Sequence, residues 1–448
     1  MTQSRSWRAT LLSYLKPKML AMLALGFASG LPFMMYFSKL SRWLADVGVE
    51  KATIGFFYWI GLSYGLKFLW APVVDRGQIP VLTRLLGQRR SWMFLAIMGT
   101  IIGMLTISAG DPMPGVKGSL TVMIIGAFIL TYSGATLDIA VDAWRIESGD
   151  NDEQANLAAV YQLGYRFAIM AAGYAMVFAD LASWGTTYRL TAGLMALVLI
   201  AVLYVKEPAA DARNIKSTDF KASMQAYVVK PFSTFVSRYN FWVLPVLLLV
   251  CLYRLSDFTM GVMTQPLYQE LGFTKTTVGL ITGTFGPWPL IAGAFVSGLF
   301  CVRIGLMATL LLGAALTIVT NGAFAWLALQ TDTSAVKLTV AIVADNIAAG
   351  FVGTVFIAYM SSLVDRRYAA TQYALLSSGY ALFCKILAGF SGVLYAAVGA
   401  PTFFTITALY GLPAIALILI IWKFGPSGAK GIMPSRGNKD TKDEKIAT

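Results

Sequence analysis

Apolar residues fall into blocks that end abruptly at short polar breaks. The blocks lie near residues 19–38, 52–72, 91–110, 119–141, 157–180 and 187–205, then near 241–264, 277–300, 304–328, 335–361, 371–397 and 402–422. Each is close to the ~20 residues an α-helix needs to cross a hydrocarbon layer ~30 Å thick. The pattern predicts an all-α integral membrane protein with twelve transmembrane helices. The longest internal polar stretch separates six blocks from six, as expected of two pseudo-symmetric six-helix bundles. The expected divisions are an N-terminal segment (1–18), a first bundle (19–205), a linker (206–240), a second bundle (241–422) and a basic tail (423–448).

Composition strengthens this picture. Of 448 residues, 57% are hydrophobic and 13% charged, whereas soluble domains run at about 45–50% and about 25%. The net charge of +13 raises the question of nucleic acid, and its placement answers it. With the N-terminus in the cytoplasm, 24 lysines and arginines fall on the cytoplasmic side and 7 on the other. That bias follows the positive-inside rule with both termini cytoplasmic, and it leaves nucleic-acid binding a poor account of the basicity. The first apolar block follows a polar, basic start without a small-residue cleavage site, so a retained helix is expected.

The chain has no histidine and three cysteines, all within apolar blocks. A histidine-based triad, a His-bearing metal site and an imidazole switch are thereby excluded. Neither a phosphate loop nor a CxxC pair is present, so no cofactor and no metal are expected and an enzyme is disfavoured. A channel would more naturally carry rings of like residues in a multimer. Nothing here calls for more than a monomer.

The informative residues are charges inside the predicted spans: Lys67, Asp138, Asp142, Arg166, Arg254, Asp257, Asp345 and Lys385. Each costs about 2.5–3.5 kcal/mol near the bilayer centre. The set therefore pairs internally, lines a hydrated cavity or holds a ligand. Asp138 and Asp142 are four apart on one helical face, with Arg145 a turn beyond. Neighbouring carboxylates suit proton binding and release, which makes both proton-coupling candidates, Asp138 being the deeper. Arg254 and Asp257 share a face and can pair. Gln162 and Arg166 lie one turn apart. Lys67 and Lys385 have no partner within a turn, which marks them as ligand candidates. Tyr64 and other aromatics in these spans offer rings for a sugar face or for packing. Gly26, Gly30 and Pro32, and the run "GPWP" from Gly286, permit close packing or kinks.

Two loops resemble the signature of the major facilitator superfamily, G-x-x-x-D-R-x-G-R-R. One is "APVVDRGQIPVLTRLLGQRR", supplying Asp75, Arg76, Arg89 and Arg90; the other is "GLFCVRIG" from Gly298, with Arg303 and Gly305 kept. The fifth helices of the two halves, "LGYRFAIMAAG" and "SGYALFCKILAG", are also alike. The segments "LGFASGLP" (25–32), "KATIGFF" (51–57), "LKFLWAPVVDR" (66–76), "DIAVDAWR" (138–145), "LGYR" (163–166), "YRLSDFTM" (253–260) and "ATQYALLSS" (370–378) together resemble the anhydromuropeptide permeases, a branch of that superfamily.

The resemblance implies the major facilitator fold and proton-driven import, by alternating access, of anhydro-N-acetylmuramyl peptides. The setting it implies is the inner membrane of a Gram-negative bacterium, in peptidoglycan recycling with an effect on β-lactamase induction. An anionic sugar-peptide then suits Lys67, Arg166, Arg254, Asp257 and Lys385 together with Tyr64 and Gln162. Coupling falls to Asp138 and Asp142, and gating to Asp75, Arg76, Arg89, Arg90 and Arg145. Siderophores and acetyl-CoA-like anions are the alternatives within the wider family. The chain departs from the family pattern at Leu137, where a glutamine is expected, and in a tail that stands where longer members carry further helices.

Overall fold

In hydrocarbon every backbone N–H and C=O must be satisfied within its own segment, so an apolar block of span length becomes a helix. The computed structural model describes residues 16–110, 119–148, 151–208, 230–365 and 369–430, and among them the secondary structure is helical throughout. The first half contains α1 (Pro17–Asp46), α2 (51–76), α3 (Gln88–Ala109), α4 (Ser119–Ser148), α5 (Asn151–Leu181) and α6 (Trp184–Tyr204). The second contains α7 (Ser233–Glu270), α8 (Lys275–Arg303), α9 (Leu306–Ala328), α10 (Ala335–Leu363), α11 (Gln372–Val398) and α12 (Ala400–Phe424).

Ten of these are long and apolar enough to cross a membrane by length and composition. The other two have local reasons for falling short. α2 is cut into short pieces by tight 3₁₀ turns at Tyr58–Leu62 and Lys67–Leu69. α5 is long, but Gln162, Arg166 and Asp180 lie along it. The set is consistent with the twelve-helix expectation.

Helix boundaries differ from the apolar blocks in several places, two of which matter here. α1 continues through a wide π turn, Met35–Leu40, to Asp46, so Lys39 and Arg42, beyond the expected first block (19–38), are buried in a helix and not in a loop. Pro32 has no N–H to donate, and the wide turn follows it by three residues, as happens where a helical ladder is interrupted. Helix also resumes at Lys230, inside the expected linker. Residues 209–229 of that linker, 1–15 of the N-terminal segment and 431–448 of the tail lie outside the described residues.

The halves repeat one packing scheme. α1 packs on α5, α2 on α4, α3 on α4 and α6; six helices later, α7 packs on α11, α8 on α10, α9 on α10 and α12. The resemblance extends to a single dihedral. Gly87 and Gly305 precede α3 and α9 with φ of 87° each, a region that only glycine enters without strain. Both glycines belong to the two degraded loop signatures, which therefore mark equivalent corners. Elsewhere glycine sets the distance between helices: a Cβ on Gly26 would lie 2.2 Å from the Tyr161 carbonyl oxygen, and one on Gly164 would lie 2.0 Å from that of Leu23. α1 and α5 thus touch backbone to backbone, the small-residue packing expected in lipid. Between the halves α5 packs on α8, α2 on α11 and α1 on α7.

Candidate functional site

Halfway along the helices, three sequence-predicted residues from three helices converge. Lys67 opens the second 3₁₀ turn of α2, and its Nζ lies 3.7 Å from Oδ2 of Asp138 on α4. At that distance the contact is a loose ion pair. Both side chains are partly exposed, 35% for Lys67 and 19% for Asp138. The second carboxylate oxygen, Oδ1, is buried without a hydrogen-bond partner among the described residues. Lys385 arrives from α11 in the other half. It is buried, donates to the Gly61 carbonyl at 3.3 Å and sits over the rings of Phe37 and Tyr64, 5.1 and 5.6 Å from their centroids. Those faces attract a cation electrostatically, yet among the described residues no carboxylate lies within ion-pair distance of it. The Tyr64 hydroxyl is likewise buried and unpartnered, and it borders the same group.

The cluster thus holds two lysines against one carboxylate. It is polar, partly exposed and richer in cations than in anions, which suits an anionic group. The absence of a neighbour within one turn marked Lys67 and Lys385 as ligand candidates. In the structure Lys67 does have a partner, Asp138, on another helix, where helical spacing along the sequence does not look. Asp142, one turn from Asp138, is 47% exposed and lies 3.5 Å from Arg145. Leu137 is fully buried. Arg166 is half-buried and Gln162 exposed on α5, and among the described residues neither makes a hydrogen bond or an ion pair.

The other expected pair forms within one helix: Arg254 and Asp257 of α7 meet at 3.1 Å. Their geometry is too oblique for a hydrogen bond, and the facing atoms, Nη1 and Oδ2, are buried without one. They border a cavity of about 210 Å³ between α7, α8 and α10 that also contains Asp345.

The expected gating residues form a network within the first half, at the end where α2 meets α3. Arg89 bridges Asp75 at 2.9 Å and Glu147 at 2.5 Å. Glu207 accepts from the free backbone N–H groups of Arg89 and Arg90 at 2.8 and 3.1 Å, capping α3 with a negative charge where its dipole is positive. Arg90 returns the favour at the far end of α6, donating to the carbonyls of Val202, at 3.1 Å, and Leu203. The side chain of Arg76 lies outside the described residues. Glu147 and Glu207 were missed in the sequence because each lies at the ragged edge of an apolar block, where charge is unremarkable.

At the opposite end, polar contacts tie the two halves together. Arg42, paired with Asp46 at 2.8 Å, donates to the Phe273 carbonyl, also at 2.8 Å. Lys51 lies 3.1 Å from Glu270, which also accepts from the Tyr395 hydroxyl. Asp180 receives both the N–H and the hydroxyl of Thr276, at 3.1 and 2.7 Å.

Two repeated helical halves, closed together at one end around buried charge, define a multi-pass membrane transporter and not an enzyme. The sequence matches the profile of the Major Facilitator Superfamily over residues 22–387. It is 32% identical to the anhydromuropeptide permease of Escherichia coli strain K12 over 409 residues, which cover 90% of this chain and 80% of that one. A Rickettsia felis protein carrying the name AmpG 4 is 32% identical over 402 residues, covering 89% and 95%. The chain belongs to the anhydromuropeptide permease branch of the Major Facilitator Superfamily. Among solved structures the fold is similar to that of a D-xylose–proton symporter, with a TM-score of 0.67 at 13% identity over 93% of this chain and 99% of that one. It is also similar to that of the nucleoside transporter NupG, at 0.64 and 12% over 91% and 100%.

Proposed function

We propose that the protein is a proton-driven importer of anhydro-N-acetylmuramyl peptides, working by alternating access, with both termini in the cytoplasm. The name of the Escherichia coli relative supports the substrate, and the distribution of lysine and arginine supports the orientation. The observation that carries the mechanism is the meeting of Lys67 and Asp138 from one half with Lys385 from the other.

A solute carboxylate entering this group finds two ammonium groups. As it takes up Lys67, Asp138 loses that ion-pair partner, and an isolated carboxylate at membrane depth is relieved by binding a proton. Solute and proton then travel together. Because Lys385 belongs to the other half, rocking the halves changes its distance from the rest of the group. Arg166, Arg254, Asp257, Tyr64 and Gln162 complete the contact set for a sugar-peptide, and the Asp75–Arg89–Glu147 network holds the α2–α3 corner while the halves move.

The test is uptake of labelled anhydromuropeptide into vesicles under an imposed proton gradient, with a siderophore and an acetyl-CoA-like anion as competitors. Uptake should saturate and collapse when an uncoupler is added. Asp138→Asn should abolish gradient-driven accumulation while leaving the amount of protein in the membrane unchanged. Full accumulation by that variant removes Asp138 from coupling, and stronger competition by either alternative solute moves the substrate within the family.

A further inference from the structure

The cavity between α7, α8 and α10 has a chemistry opposite to that of the Lys67 cluster. Its charges are Arg254, Asp257 and Asp345, and the first two already face each other at 3.1 Å. Asp345 is left over: half-buried on α10, it has no hydrogen bond and no ion pair among the described residues. The neutral groups in the wall lean the same way. Asn346 donates its amide to the Ile342 carbonyl of its own helix at 2.8 Å, and Thr264 donates its hydroxyl to that of Gly261 at 3.0 Å. Each donation leaves the oxygen lone pairs of the same side chain free to accept. Gln265 is 6% exposed, lines the cavity, and its Oε1 has no partner among the described residues. Oδ2 of Asp257 also lacks a hydrogen bond. The donors that remain are the ion-paired Arg254, the hydroxyl of Tyr268 and the side-chain amide N–H groups of Gln265 and Asn346, and of these only Arg254 is charged.

A buried acceptor without a donor costs about 1–3 kcal/mol, and more when charged. A wall with one surplus negative charge and several open acceptors at membrane depth is therefore incomplete, and the missing group is a cation with several N–H donors. We propose that this cavity is a subsite for a primary ammonium group of the transported solute, with Asp345 as its counter-charge and Gln265 and Asn346 as additional acceptors. The proposal rests on the transport reading above and specifies it further. The solute carries an ammonium as well as a carboxylate, and the two are held in different parts of the molecule.

The test uses the full chain in vesicles and two labelled probes. One is an anhydromuropeptide whose peptide bears a free amino group; the other is the same compound with that amine acetylated. The wild type should favour the amine form. Asp345→Asn, which keeps the shape and removes the charge, should cut that preference about tenfold, leaving the rate for the acetylated form within about twofold. Asn346→Asp, which adds a second carboxylate, should increase the preference, a gain that misfolding cannot produce. If Asp345→Asn depresses both probes equally, Asp345 serves a proton or the fold and the subsite is wrong. An unchanged preference in both variants overturns it equally. If the wild type takes up neither probe, the transport reading fails first and the subsite with it.

Discussion

The two charged groups at membrane depth differ in how they are built. The Lys67 group is assembled from α2, α4 and α11, so it spans the halves, and it holds two cations against one anion. The Arg254 group comes from α7 and α10 of one half and holds two anions against one cation. A group that spans the halves is remade whenever they rock, whereas a group within one half travels as a unit. On the proposed reading the first group therefore senses the conformational cycle and the second only selects what rides in it. Substitutions in the first should then act on rate and coupling, and those in the second on preference and stability.

The largest effect is expected at Lys385. On the proposed reading Lys385 pairs with the solute carboxylate, and truncating one partner of such a buried pair costs about 2–5 kcal/mol, on the order of a hundredfold in rate. Lys385→Ala should lower the initial rate of gradient-driven uptake by that order, and Lys385→Arg should recover part of it. Asp345→Asn should leave the acetylated probe nearly untouched. If Lys385→Ala transports at the wild-type rate, the contrast between the groups disappears.

Much of the fold was legible because lipid leaves so few choices. Long apolar blocks are driven into helices, and the two loop signatures with Gly87 and Gly305 fall at equivalent corners. The membership of the charged groups was only half legible. Arg254 and Asp257 lie one turn apart, so helical spacing alone brings them together. Lys67, Asp138 and Lys385 are connected by tertiary packing over hundreds of residues of chain, and no local period carries that information. The same limit hid the partner of Lys67 and the bridge from Lys51 through Glu270 to Tyr395. Asp345 stood out as a charge inside a span, but that it shares a cavity with the Arg254–Asp257 pair is set by packing between α7 and α10.

The next effect in size concerns stability. Asp257→Asn leaves the guanidinium of Arg254 buried without its counter-charge, at a cost of about 3–5 kcal/mol, whereas replacing both partners by apolar residues of similar size is often neutral. The single variant should therefore melt several degrees below the wild type in detergent, and Arg254→Met with Asp257→Leu should regain most of the loss. Equal melting of the single variant and the wild type would mean that Arg254 finds another anion, with Asp345 of the same cavity the candidate. That outcome would erase the surplus charge on which the contrast depends.

The smallest expected effect is at the end where the halves meet. Glu270 receives Lys51 and Tyr395 from α2 and α11, but its side chain is 39% exposed. A pair of that kind is worth at most about 1 kcal/mol. Glu270→Gln keeps a hydrogen-bond acceptor for Tyr395 and removes the charge facing Lys51, so it should shift the closed end towards opening by a few-fold only. Val262 is a suitable reporter, being 2% exposed and packed where Ser41 of α1 reaches its carbonyl at 3.4 Å. A cysteine placed there should be alkylated two- to fivefold faster when Glu270→Gln is added, after subtracting the rate of the three native cysteines. Because the latch touches neither charged group, the amine preference should not move. A change in preference that tracked the alkylation rate would show that selection is also remade as the halves part, and the division of labour between the two groups would have to be abandoned.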